Sequence, residues 1–173
     1  MEINLAELRT RLIKLFPNLE KDFQIIADQN PDSNCISYSL GYMMFKVWPI
    51  EFSNGLNRYP DGSRIFWPKG LSSSESLDNF IKMYKMFKFE VCDNDSFEEE
   101  YIKIAIYTKD DIVTHACRQL HTEANVWASK LGIGGVIRHR LYSLKSNTYG
   151  DVACIMKRHI SISSKQFRKL VEG

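Results

Sequence analysis

A cysteine at the start of a helix and a histidine in a strand about eighty residues later are the residues of this chain best suited to chemistry. The cysteine ends the run Asp28-Gln29-Asn30-Pro31-Asp32-Ser33-Asn34-Cys35, where turn formers give way to helix-forming residues. The histidine lies in Ile112-Val113-Thr114-His115-Ala116-Cys117-Arg118-Gln119, an extended run. A free thiol with a pKa of about 8.5 is only about 3% thiolate at pH 7. Placement at a helix N-terminus beside an imidazolium lowers that pKa to about 3.5–7.5, so thiolate is the expected resting form of Cys35. A histidine on a neighbouring strand takes the thiol proton. The pair therefore predicts acyl transfer. Cys35 attacks a carbonyl carbon, His115 carries the proton to the leaving group, and water or an amine resolves the thioester.

The elements that must position these groups follow from periodicity. Leu5, Leu8, Leu12 and Phe16 predict a helix over residues 2–16, ended by Pro17. Residues 28–34 form a loop, and Ser33 or Asn34 caps a second helix running from Cys35 to about Lys46. Ile36, Leu40, Met43 and Met44 are its residues available for burial. Residues 47–73 read as irregular, with clusters Trp48-Pro49, Tyr59-Pro60-Asp61-Gly62 and Trp67-Pro68-Lys69-Gly70. Trp48, Tyr59, Phe66 and Trp67 there either line a cleft or pin the loop to the core. Ser72-Ser73-Ser74-Glu75 fits a capping box ahead of a helical stripe from Leu77 to Phe87. Strands are then predicted at Phe89–Cys92, Tyr101–Thr108, Ile112–Leu120, Val126–Leu131, Val136–Leu144 and Val152–Arg158. A short helix over Lys165–Val171, capped by Ser163 or Ser164, closes the chain. Helices first and strands after is an α+β layout, and short polar turns predict antiparallel neighbours. On an ideal strand Val113, His115, Cys117 and Gln119 share one face, and Thr114, Ala116 and Arg118 the other.

Composition narrows the classes. Net charge is only +2 over 173 residues, and Lys82, Lys85, Lys88, Lys103 and Lys109 are scattered as on a solvated face. No basic stripe marks a nucleic-acid partner. Cys35, Cys92, Cys117 and Cys154 are far apart with no C-x-x-C, which argues against a disulfide scaffold. No secretory leader and no run of about 18 apolar residues is visible, so no membrane association is expected. The expected setting is cytoplasmic, or exported without a signal peptide. A zinc site from Cys35, His115, Cys117 and His121 would use suitable ligands, but no close C-x-x-C or H-x-x-H pair anchors it, and no cofactor is expected. Arg118 and Lys130 are candidate carboxylate binders, with Arg118 facing away from His115. His139 and His159 sit in no pattern that supports a role.

The order of these residues resembles the papain-like cysteine hydrolase superfamily, in which a nucleophile opens an N-terminal helix and a histidine and a polar orienting residue follow on adjacent strands. Gln29 stands six residues before Cys35, the offset of the oxyanion-hole glutamine in papain-like peptidases. Ser129-Lys130-Leu131-Gly132 occupies the place of their Asn-Ser-Trp-Gly, whose asparagine orients the histidine. The chain is also similar to a group of uncharacterised bacterial domains with an N-C-x-x-x-x-x-G segment, T-H-A-x-R-Q, W-x-S-K-L-G and a late Y-G. Here these are Asn34-Cys35 with Gly41, Thr114 to Gln119, Trp127 to Gly132, and Tyr149-Gly150. The papain-type C-G-S-C-W signature is absent; Ser33-Asn34-Cys35-Ile36-Ser37-Tyr38 stands instead.

The resemblance implies a single papain-like domain over residues 1–173, with N-terminal helices packed on an antiparallel sheet. It implies a catalytic set of Cys35, His115, Ser129 and Gln29, with Gln119 and His121 as alternatives to Ser129. A serine accepts the imidazole N–H but stabilises an imidazolium less than a carboxylate would. The oxyanion falls to the backbone N–H of Cys35, with or without Gln29. The expected activity is cleavage of an amide, peptide or isopeptide bond in a peptide or protein substrate. The alternative is a catalytically silent protein-binding module on the same scaffold, with the Trp48–Trp67 aromatics as its surface. Oligomeric state is not readable from the residues.

Overall fold

The computed structural model describes residues 4–19, 23–51, 55–122, 124–132 and 135–173. In chain order the elements are α1 (Leu5–Leu15), β1 (Gln24–Ala27), α2 (Cys35–Leu40), β2 (Lys46–Val47), β3 (Gly55–Arg58), β4 (Arg64–Trp67), α3 (Leu77–Met86), β5 (Glu90–Cys92), β6 (Tyr101–Lys109), β7 (Ile112–Gln119), β8 (Trp127–Lys130), β9 (Val136–His139), β10 (Asp151–His159) and α4 (Arg168–Glu172). Tight turns make sequential strands into antiparallel neighbours. Asp110 and Asp111 between β6 and β7 both take positive φ, 51° and 62°, as the left-handed residues of a two-residue hairpin do. The result is a seven-stranded antiparallel sheet in the order β1-β9-β8-β7-β6-β10-β5. The fold is α+β, as expected.

Alternation gives that sheet two buried faces. Ile104, Ile106, Ala116 and Met156 pack against Ile36 and Leu40 of α2 and Phe80, Met83 and Tyr84 of α3. Ala105, Tyr107, Cys117, Trp127 and Ile137 pack against Leu8 and Leu12 of α1 and against Leu141 and Leu144. The two N-terminal helices thus cover opposite faces. One irregularity changes the expected facing of β7. Tyr107 pairs with His115 but Thr108 with Val113, so Thr114 is an extra, bulged residue. The bulge turns Val113 onto the Ala116 face and leaves His115 with Cys117 on the other.

Several boundaries differ from expectation. α2 stops at Leu40 because Gly41 takes φ 90°, and the N–H groups of Gly41 and Tyr42 close back on Tyr38 and Ser37. Met43 and Met44 then lie beyond the helix, exposed rather than buried. The segment expected to be irregular contains strands: β2, β4 and β3 form a small sheet in which β2 runs parallel to β4, with turns between them. Phe66 and Trp67 are fully buried there, so these rings pin the segment to the core, while Tyr59 is exposed. α3 is capped by Ser76, whose Oγ accepts from Asn79 N–H at 3.3 Å, not by the Ser72–Glu75 box. Glu75 instead accepts from the Trp48 indole at 2.8 Å. β9 ends at His139 and Leu141–Leu144 is a 3₁₀ turn, so the strand predicted over 136–144 is half that length. The expected first helix begins at Leu5, residues 1–3 lying outside the described residues. Among the described residues no helix is long and apolar enough to cross a membrane.

Candidate active site

Cys35 opens α2 because Asn34 holds the chain extended immediately before it. Asn34 Oδ1 accepts from Ser37 N–H at 3.0 Å, and Ser37 Oγ accepts from Asn34 N–H at 2.9 Å. This is a reciprocal cap. The same carboxamide reaches β2, donating to Val47 O at 2.9 Å and accepting from Val47 N–H at 3.1 Å. One side chain therefore sets both the first turn of α2 and its tether. Asn34→Ala is expected to cost about 2 kcal/mol in urea unfolding, from a lost cap and two lost main-chain partners. Asn34→Asp, which keeps the cap oxygen but cannot donate to Val47, is expected to lose less.

The ladder between β7 and β8 holds only at Arg118↔Ala128 and Gln119↔Trp127. Beyond Arg118 the strands part, and α2 packs across both of them. The opening is a cleft of about 450 Å³ lined by Cys35, His115, Gln29, Lys46, Lys130 and Tyr149 among others. Cys35 enters from the α2 face of the sheet. His115 comes from the face carrying Tyr107 and Cys117, and the gap joins the two.

The His115 ring is held on three sides. It stacks on Tyr149 with centroids 4.1 Å apart and planes within 3°, and it lies beside Tyr107. Its Nε2 meets Ser129 Oγ at 2.8 Å; Ser129 Oγ meets His139 Nε2 at 2.7 Å; His139 Nδ1 meets the Arg140 carbonyl at 2.7 Å. His115, Ser129 and His139 are all buried. A carbonyl can only accept, so His139 Nδ1 bears a hydrogen. In a neutral ring Nε2 is then a bare acceptor, and it takes the Ser129 hydroxyl hydrogen. Ser129 Oγ must accept from His115, which places that proton on Nε2 and leaves His115 Nδ1 with a free lone pair. The chain of bonds thus fixes the neutral tautomer of His115.

Burial sets the charge state. It pushes the Cys35 thiol above its ordinary value, against the pull of the Ala116, Ile36 and Cys35 main-chain N–H groups and the Lys130 ammonium. It drives His115 well below the ordinary histidine value, helped by the His139 charge, and brings His139 down to about 4. At neutral pH the thiol and both rings are uncharged. Desolvation thus works against the expected resting thiolate, and the first turn of a six-residue helix does not offset it.

Of the sequence-predicted residues, Cys35, His115 and Gln29 reach the cleft and Ser129 stands behind His115. Gln29 is exposed at the rim. The alternatives to Ser129 lie elsewhere. Gln119 donates to Asp95 O at 3.0 Å, and exposed His121 packs on Phe97. Cys117, weighed as a zinc ligand, faces Tyr107 Oη. Among the described residues no three His, Cys, Asp or Glu side chains converge as a metal site. His139 was given no role by the sequence, yet it ends the relay. Its signal was weak: Ile137 and His139 share a strand face, and only the hairpin register brings that face to Ser129. Tyr149 had shown only as part of a motif, and the fold stacks it on the histidine.

The arrangement defines an α+β protein that gathers a thiol and a relay-oriented imidazole in one cleft. Residues 24–157 match the family described as Domain of unknown function (DUF7689), and the chain belongs to that family. No curated protein and no solved structure matches it.

Proposed function

We propose that this chain is a cysteine hydrolase of papain-like organisation that cleaves an amide, peptide or isopeptide bond through a thioester. The observation that carries the reading is the relay His115–Ser129–His139, which leaves an unprotonated nitrogen on the ring sharing a cleft with Cys35. Because thiol and ring rest neutral, the proton passes from Sγ to Nδ1 as sulfur attacks, not before. The imidazolium then protonates the leaving amine, and water, deprotonated by the same nitrogen, releases the acid. The Cys35 and Ile36 N–H groups, in the first turn of α2 and turned toward the Cys35 sulfur, are the donors for the oxyanion, with the Gln29 amide at the rim. Ser129 and His139 are positioning residues.

p-Nitrophenyl acetate tests this without knowledge of the substrate. Sulfur displaces p-nitrophenolate and carries the acetyl group, which water then removes. The expected result is a burst of one nitrophenolate per chain with the acetyl mass on Cys35, absent from Cys35→Ala. Acetylation of Cys35 no faster than that of Cys92, another half-buried thiol, would refute the reading.

A further inference from the structure

Two lysines face the cleft, and neither pairs with a carboxylate among the described residues. Lys130, on β8, is only 6% exposed, yet it forms no ion pair or hydrogen bond among the described residues. The stem of the side chain is buried, which fixes where its ammonium emerges. The fold shows how it treats a structural lysine elsewhere: Lys103, fully buried, meets Glu98 at 2.7 Å and two Asn94 oxygens at 3.1 Å. Lys130 has no such partners, and its ammonium is not among the sealed polar atoms, so it opens on the cleft that its residue lines. Lys46 enters the same cleft from β2, and the two ammonium groups repel each other. Asp28 and Asp32 of the adjoining loop are exposed and pair with neither, and Asp61 feels Lys46 only as the weakest of its influences. Lys130 and Cys35 line the same cleft and the Lys130 charge reaches the Cys35 sulfur, so an anion held by Lys130 shares the cleft of the nucleophile.

We infer that the cleft selects substrates carrying a free carboxylate close to the scissile carbonyl, held by Lys130 and Lys46. The inference rests on reading Cys35 as the nucleophile, and it narrows the substrate to amides next to a peptide C-terminus or an acidic side chain.

Iodoacetate and iodoacetamide form the same kind of S–CH₂ bond and expel iodide alike; they differ only in the carboxylate. The rate ratio at Cys35, followed by mass spectrometry at pH 8.5, therefore reads carboxylate recognition apart from thiol reactivity. The expected ratio in the folded protein is at least about tenfold above that in urea, one charge-assisted hydrogen bond in rate terms. Lys130→Met is expected to bring it down to the urea value and Lys130→Arg to keep it. Lys46→Met, at a half-buried position that tolerates the change, is expected to lower it in part. A ratio equal in folded and unfolded protein overturns the inference, even if the p-nitrophenyl acetate burst stands. A high ratio without that burst keeps the carboxylate site and removes the hydrolase. A Cys35 alkylated by neither reagent overturns both. Protection by acetyl-Ala-Ala marks a C-terminal carboxylate as the ligand, and protection by acetyl-Glu-amide an acidic side chain. Equal protection by acetyl-Ala-Ala-amide overturns the inference.

Discussion

Replacing His115 by alanine is expected to slow acetylation of Cys35 by p-nitrophenyl acetate by about 10²–10⁴-fold, the usual contribution of a positioned general base. The size follows from the resting state. With burial raising the thiol, little thiolate exists at pH 7 for the electrophile to meet, so nearly all the wild-type rate must run through the imidazole. The acid limb of the profile follows from the ring. His115 works as a base only while neutral, and its value lies well below the ordinary one, so the rate should hold as pH falls past 6.5. The His139 charge is one cause of that depression. His139→Gln removes it, and the variant should protonate at His115 sooner, its acid limb moving to higher pH. A role for His139 in packing alone would lower the rate without moving the limb. Ser129→Ala should lower the rate too, since Nε2–H loses its acceptor and the ring is free to take the tautomer that carries its proton on Nδ1. A His115→Ala variant that acetylates Cys35 at the wild-type rate would leave the proposed mechanism without its base.

Local signals made Cys35 and His115 readable. An asparagine cap, a wet loop and a change of period act within a few residues of the chain, and the structure follows them at Asn34 and along β7. The same kind of signal at Gly41 was present and unused; a glycine six residues after the cysteine ends α2 with its left-handed φ. What the chain did not disclose is register and depth. The Thr114 bulge depends on how β6 and β7 pair, and His139 joins Ser129 only because β8 and β9 close with Ser129 opposite Ile137. Thiol acidity is the clearest case. A helix N-terminus argues for a lowered value from sequence alone, but the desolvation that reverses it comes from strands far along the chain. Gly150 repeats the lesson. Its φ is +76°, and a Cβ there would stand 1.9 Å from Thr108 O, so the glycine of the Tyr149-Gly150 pair lets the chain pass close over β6 and deliver the Tyr149 ring to His115.

Unfolding free energy should fall steeply between pH 6.5 and about 4, starting well before carboxylates usually lose their charge. His139 is held at about 4 in the folded chain against an ordinary value of 6.5, because its buried ring resists charging. The unfolded chain therefore binds the proton first. Stability from this group is fully present above pH 6.5 and is lost as pH drops toward 4. At about 1.4 kcal/mol per unit the loss approaches about 3 kcal/mol for His139 alone. His115 is depressed as well, so its contribution has the same sign and the same upper edge. Urea midpoints at pH 7.5, 6, 5 and 4.5 measure the slope. His139→Gln should be less stable at pH 7.5, where it lacks the Nδ1–H bond to Arg140 O, and should lose less on acidification. An equal slope in the variant would mean that the ring is not the group resisting protonation. The coupling carries a consequence for chemistry. Burial that keeps the relay neutral near neutral pH is also what makes the fold acid-sensitive, so drying the site further would lower both the base strength of His115 and the stability in acid.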